Sequence, residues 1–249
     1  MSALVHSELL KIRTTRSWWA YLVALVLLTG AGVAGEIGSA DSADRRNLGF
    51  QEGLVETVGV AVILAVILGI TTVTTEFRHG TVTPTFLAAP HRERVMAAKS
   101  AASVVVATGF ALLSLAVVAA VALPWLAIVD AQTHLGDGEL WTRAAQQILA
   151  AALWALMGVA VGAVVHSQVA ALVGTLVWIF LGETLLLGLL GLLDAGGVAA
   201  YLPFRALDAA DGTGGEDLLS YGPGVAVAIG WIALLGALGT GRTRRRDIS

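Results

Sequence analysis

Six apolar runs fill most of the chain: Trp18–Gly35, Leu54–Thr74, Ser100–Val129, Ala144–Val165, Val169–Leu193 and Val225–Gly241. Polar and charged residues collect in the intervals between them. A helix needs about 17–25 apolar residues to cross the hydrocarbon of a bilayer, so each run is long enough to span. The runs are continuous rather than alternating. That pattern predicts membrane helices and excludes a barrel, whose strands would alternate over short segments. The first and last runs are the shortest, and Trp18, Trp19 and the terminal arginines flank them as interfacial anchors.

The intervals carry patterns of their own. In residues 1–17, Leu4, Val5, Leu9 and Ile12 recur at helical spacing beside Glu8, Lys11 and Arg16, which predicts an amphipathic helix at the membrane face. Residues 75–99 form a charged island whose Gly80, Pro84 and Pro90 divide it into pieces, predicting one or two short surface helices. His166, Ser167 and Gln168 alone join the fourth and fifth runs, so those helices form a tight hairpin. Gly158 and Gly162 make a small-xxx-small pair, which we read as close helix packing within the chain. After the fifth run, the segment 188–222 begins apolar, is punctured by Gly188, Gly191, Gly196 and Gly197, restarts at Leu202-Pro203-Phe204 and ends in a flexible acidic loop over Asp208–Asp217. Two forms fit that segment: a hairpin re-entering the membrane from outside, or an overlong helix with a plain loop. No internal repeat is visible.

Composition agrees with the pattern. Hydrophobic residues make up 57% and charged residues 13% of the 249, and the mean hydropathy is +0.81; a soluble domain carries about a quarter charged residues. Eleven of the fifteen Lys and Arg fall in the N-terminal arm, the 75–99 interval and the tail, which six spans place on one side. The opposite intervals are acidic. The positive-inside rule then puts both termini in the cytoplasm of a multi-pass protein. The heavy use of Ala, Val, Gly and Arg points to a bacterial plasma membrane protein. Cysteine is absent, so neither disulfide nor thiolate chemistry is available.

Catalytic patterns are missing. Only Lys11 and Lys99 exist, neither in a glycine-rich loop, so the chain has no Walker-type phosphate cradle. The five histidines are scattered and no zinc or hydrolase motif occurs, which predicts neither a metal site nor a catalytic residue, and no nucleic-acid partner. Two acids lie in apolar runs. Glu183 sits within the fifth and Glu56 near the outer end of the second. Ionisable groups in membrane helices usually face a bundle interior or water, which marks Glu183 as a candidate gate or substrate contact and Glu56 as a lesser one.

The residues SELLKIRTTRSWW before the first run and TEFRHGTVTPTFLAAPHRERVMAAKS after the second carry a resemblance. They resemble the permease subunit of ABC-2 type transporters, over essentially the whole chain in layout and most specifically at Glu76-Phe77-Arg78-His79-Gly80-Thr81. The resemblance implies a single all-α transmembrane domain over residues 1–249, with a cytoplasmic coupling helix between the second and third spans and a re-entrant outer segment in which Pro203 and Phe204 line the path. It implies that Glu76, Phe77, Arg78, His79, Gly80, Thr81 and Phe86 meet a separate ABC ATPase, two copies of which bind ATP and Mg. A second permease, alike or different, would complete the dimer within membrane lipid. The implied activity is export of a drug, antibiotic or lipid, driven by the partner rather than by this chain. The competing reading is a membrane anchor or immunity protein that tethers a soluble partner without transport.

Overall fold

A computed structural model describes residues 1–249 except 42, 82–90, 194, 213, 216 and 246–249. Its described residues are helical, with six helices or helix pairs long and apolar enough to span: Ser17–Ser39, Leu48–Arg78, Arg92–Ile128, Gly138–Val165, Gln168–Leu192 and Tyr221–Arg242. These match the six apolar runs. Several extend beyond them, because a helix ends where capping and turn residues stop it, not where hydropathy falls.

In chain order the elements are α1 (Ser2–Thr14), α2 (Ser17–Ser39), α3 (Leu48–Glu56), α4 (Gly59–Arg78), α5 (Arg92–Ile128), α6 (Gly138–Val165), α7 (Gln168–Val177), a π-helical turn (Trp178–Gly182), α8 (Glu183–Leu192), α9 (Gly196–Ala199), α10 (Pro203–Ala210) and α11 (Tyr221–Arg245). With 37 residues, α5 is about 55 Å long by its rise per residue. Hydrocarbon needs only about 30 Å of that, so α5 must project beyond it.

The core is the α4–α6 pair. A Cβ on Gly158 would fall on the Val66 carbonyl and 3.0 Å from the Ile70 nitrogen, and one on Gly69 would lie 2.8 Å from the Val159 nitrogen. Backbone therefore rests on backbone, the packing that small residues permit in a medium offering no hydrophobic drive between helices. The Gly158–Gly162 pair accordingly serves packing within the chain. Leu25, Ile37, Ile70, Phe110 and Met157 are buried around it.

Side-chain contacts sort the two ends of the bundle. At one end Lys99 meets Glu8, Arg78 Nη1 donates to Gln168 Oε1 at 3.2 Å, and Arg242 Nη1 donates to the Val164 carbonyl at 3.3 Å. The N-terminal helix, the flanks of the 79–91 connector, the α6–α7 turn and the C-terminal arginine thus share one end. At the other, Gln51 Nε2 donates to the Gln132 carbonyl (2.8 Å) and Gln51 Oε1 accepts from the His134 N–H (2.9 Å). His134 turns both ring nitrogens toward acceptors, Nδ1 to Asp137 Oδ2 at 2.7 Å and Nε2 to the Arg46 carbonyl at 3.0 Å. The Arg46 carbonyl and then Asp137 raise its pKa above the usual histidine value.

The segment after the fifth span folds back rather than running on. Helix α8 stops at Leu192, α9 is a single turn, and Pro203 opens α10, whose Phe204, Ala206, Leu207 and Ala210 join the core. Pro at the first helical position needs no N–H partner and has the right φ.

Two glycine substitutions separate packing from propensity. Gly158→Ala should lower thermal stability in detergent by the equivalent of about 1–3 kcal/mol, because the α4 backbone has nowhere to go. Gly109→Ala, whose Cβ meets nothing within 4 Å, should raise it by up to about 1 kcal/mol through helix propensity. Equal shifts in the two melting temperatures would contradict this packing.

Candidate functional site

The motif at the end of α4 is first of all a helix terminator. Gly80 takes φ +69°, the Thr81 N–H donates to the Glu76 carbonyl at 3.0 Å, and the Gly80 N–H donates to the Phe77 carbonyl at 3.4 Å. This is the Schellman pattern, in which glycine accepts the left-handed conformation and the last carbonyls find donors. Gly80 fixes where α4 stops.

Glu76 projects inward. Its Oε1 lies 2.7 Å from Lys11 Nζ and 2.8 Å from Lys99 Nζ. Glu8 closes the set from α1, with Oε1 2.6 Å from Lys11 and Oε2 2.8 Å from Lys99. The four charges alternate around a closed ring and sum to zero. Lys99 also donates to the Thr72 carbonyl at 3.2 Å, so its three N–H groups meet three oxygens. An ammonium suits this position because its three donors spread in three directions, whereas a planar guanidinium would favour one carboxylate.

Burial makes the ring consequential. The Lys99 side chain is 3% exposed, Glu8 5% and Glu76 11%, while Lys11 opens to the surface at 47%. Burial works against the Lys11 cation, yet hydrogen bonds to Glu76 and Glu8 leave its pKa raised. An adjoining cavity of about 220 Å³ is lined in part by Tyr21, Thr71, Thr75 and Gln168. The ring joins three elements: α1, the end of α4 and the start of α5. Both flanks of the connector are thereby tied to the N-terminal helix.

The other residues singled out near the connector take different positions. Phe77 meets the His166 ring edge-on, centroids 4.4 Å apart. Arg78 is exposed and holds Gln168 across the α6–α7 turn. His79 Nδ1 lies 2.9 Å from the Thr75 carbonyl, and Thr81 is exposed. Glu76 therefore spends its carboxylate inside the chain, while Arg78, His79 and Thr81 face outward. Phe86 and the expected short surface helices lie outside the described residues.

Glu183 and Phe204 come together. Glu183 Oε1 accepts the Phe204 N–H at 2.9 Å and the Trp178 indole N–H at 3.2 Å. The carboxylate thus caps α10 from the fifth span, satisfying a donor at a helix N-terminus where the dipole favours negative charge. Phe204 packs on Trp154 with centroids 5.4 Å apart. Pro203 supplies the turn into α10. Glu56 stands elsewhere, 3.9 Å from Arg143. On α10, burial pushes the Asp208 carboxyl up from an ordinary 3.8 to about 7, with the Asp211 and Glu183 charges adding and Arg205 opposing.

Sequence reasoning missed the ring, although Glu8, Lys11, Glu76 and Lys99 were all visible. The available signal was lysine usage: a chain that uses arginine for thirteen of its fifteen Lys and Arg residues keeps lysine only at the two ring positions.

Lys99→Met should destabilise the protein by about 3–5 kcal/mol, since it strands buried carboxylate charge. Adding Glu8→Gln should recover part of that loss, and a double-mutant cycle on melting temperature measures it; strictly additive losses would show that the pair does not interact. For Asp208 the folded pKa is the higher one. Its contribution is therefore fully present below pH 4 and lost as pH rises toward about 7. Asp208→Asn should raise the melting temperature at pH 8 and leave it unchanged at pH 3.5.

Compared with known proteins, the chain matches no family model and no curated sequence.

Proposed function

We propose that this chain is the membrane subunit of an ATP-driven transporter, moving a hydrophobic or amphipathic molecule across a bacterial plasma membrane in a dimer of such subunits. One observation carries the reading: the connector between the second and third spans is anchored at both flanks in a buried, neutral ring with α1. A push on the connector reaches α4, α5 and α1 together, because separating any pair leaves buried charge unpaired. A loop serving only topology has no use for such an anchor.

In this reading the ring-bearing end is cytoplasmic and a separate ATPase docks on the connector. Arg78, His79 and Thr81 offer exposed polar contacts, and Phe77 with His166 supports them from behind. Glu76 transmits the force rather than touching the partner. ATP and Mg sit on that partner, and its closure biases inward-facing and outward-facing states that differ by a few kcal/mol. The folded-back segment from α8 to α10 forms the outer gate, with Glu183 holding it to the fifth span.

Because the chain lacks cysteine, single-cysteine variants give a clean orientation test. His79→Cys should resist a membrane-impermeant maleimide in intact cells, and Asp137→Cys should react; the opposite pattern would overturn the reading. For function, the chain is co-expressed with an ABC ATPase that copurifies with it and studied in inverted vesicles. ATP-dependent movement of a fluorescent amphipathic probe should fall at least tenfold in the Glu8→Gln/Lys99→Met variant, with the complex still assembled and hydrolysing ATP. A partner that binds the chain without any nucleotide-dependent movement would support a tethering protein instead.

A further inference from the structure

A cavity of about 530 Å³ lies between the sixth span, the C-terminal half of α6 and the fifth span, with Val161, Thr175, Trp178, Phe204, Trp231 and Leu235 among its walls. Its volume is that of a small-molecule site, which runs to about 300–1,000 Å³. The fifth span creates it. That span is held at its start by the α6–α7 turn and at its middle by Glu183 on Phe204, but only 17% of its apolar window is buried within the chain. Beside the cavity it passes through the π turn at Trp178–Gly182, a widened turn that recurs at functional sites.

One polar group in the wall of this cavity has no hydrogen-bond partner among the described residues. Threonine hydroxyls in membrane helices normally return to the carbonyl four residues back, as Thr71, Thr72 and Thr74 do here. The Thr175 hydroxyl does not: the residue is 6% exposed and its oxygen meets no hydrogen-bond partner among the described residues. A hydroxyl can donate to an oxygen acceptor. Among the described residues no charged side chain lines the cavity, which favours an uncharged acceptor over a free carboxylate. Val165, Gly174 and Trp178 among its walls are exposed, so the cavity opens at the surface of the helices.

We propose that this cavity binds one ester-linked acyl chain of a membrane lipid, entering sideways from the bilayer, with the ester carbonyl accepting from Thr175. The π turn and the loosely packed fifth span give the chain its slot, and the hydroxyl fixes its depth. The site does not depend on the transport reading, because occupancy can be measured on the chain alone.

The test uses the purified chain in detergent with a phosphatidylethanolamine bearing a diazirine on one acyl chain. Crosslinking to residues 169–178 should saturate and be competed by unlabelled ester lipid, with the ether-linked analogue a weaker competitor. Thr175→Val should weaken binding about fivefold, the worth of one hydrogen bond, yet melt no lower in lipid-free detergent, since it removes an unsatisfied group. Gly174→Trp, placed where a Cβ meets nothing within 4 Å, should fill the slot and abolish saturable labelling with the melting temperature unchanged. Labelling that rises linearly with probe on every span would mean ordinary annular lipid and overturn the proposal. So would chain-to-chain crosslinks in place of lipid adducts, or a Gly174→Trp variant that labels as well as the parent.

Discussion

A closed ring of four charges at one end of a membrane bundle, three of them buried, sets the main constraint on this protein. Removing a carboxylate or an ammonium from water costs several kcal/mol per ion, and only close, fully hydrogen-bonded partners offset it. Glu8, Lys11, Glu76 and Lys99 meet that condition by closing a ring, and Lys99 completes its valence on the Thr72 carbonyl. No member can leave alone. Three segments far apart in sequence are therefore obliged to keep their relative positions at one end of the bundle, whatever the rest of the molecule does.

The remainder of the architecture divides into a stiff half and a loose half. Helices α4 and α6 touch backbone to backbone through Gly69 and Gly158, a contact with no room for adjustment. The ring continues this stiffness outward from the end of α4 to α1 and α5. The fifth span is attached differently, by one carboxylate on the start of α10 and by the turn at Gln168, with a cavity and a π turn between. The proposed transport cycle uses the stiff half to carry force and the loose half to yield.

The membrane helices were legible because the bilayer imposes a length and a composition that few other contexts demand; all six runs became spans. Glu183 was legible as a buried acid for the same reason. What it does there was not, since capping α10 joins residues 21 apart through a fold-back that hydropathy does not encode. The ring was hidden more thoroughly. Glu8 and Lys11 read locally as the polar face of an amphipathic helix, Glu76 as a contact for a partner, and Lys99 as the last residue of the charged island. The pairings of Lys11 with Glu76 and of Glu8 with Lys99 span 65 and 91 residues, and neither helical periodicity nor the positive-inside rule carries information at that range. The glutamate in the EFRHGT motif thus turned inward, while the glycine proved to be the helix terminator.

Because the ring holds them, α1 and the flanks of the connector move as one body. Spin labels at His6→Cys and His79→Cys, both exposed positions in a chain without native cysteine, allow the distance between them to be measured directly by pulsed electron resonance. A single narrow distribution in the parent that broadens when Lys99→Met is added is the predicted result. A broad distribution in the parent, or a narrow one that Lys99→Met leaves unchanged, would show that the ring does not bind the two together.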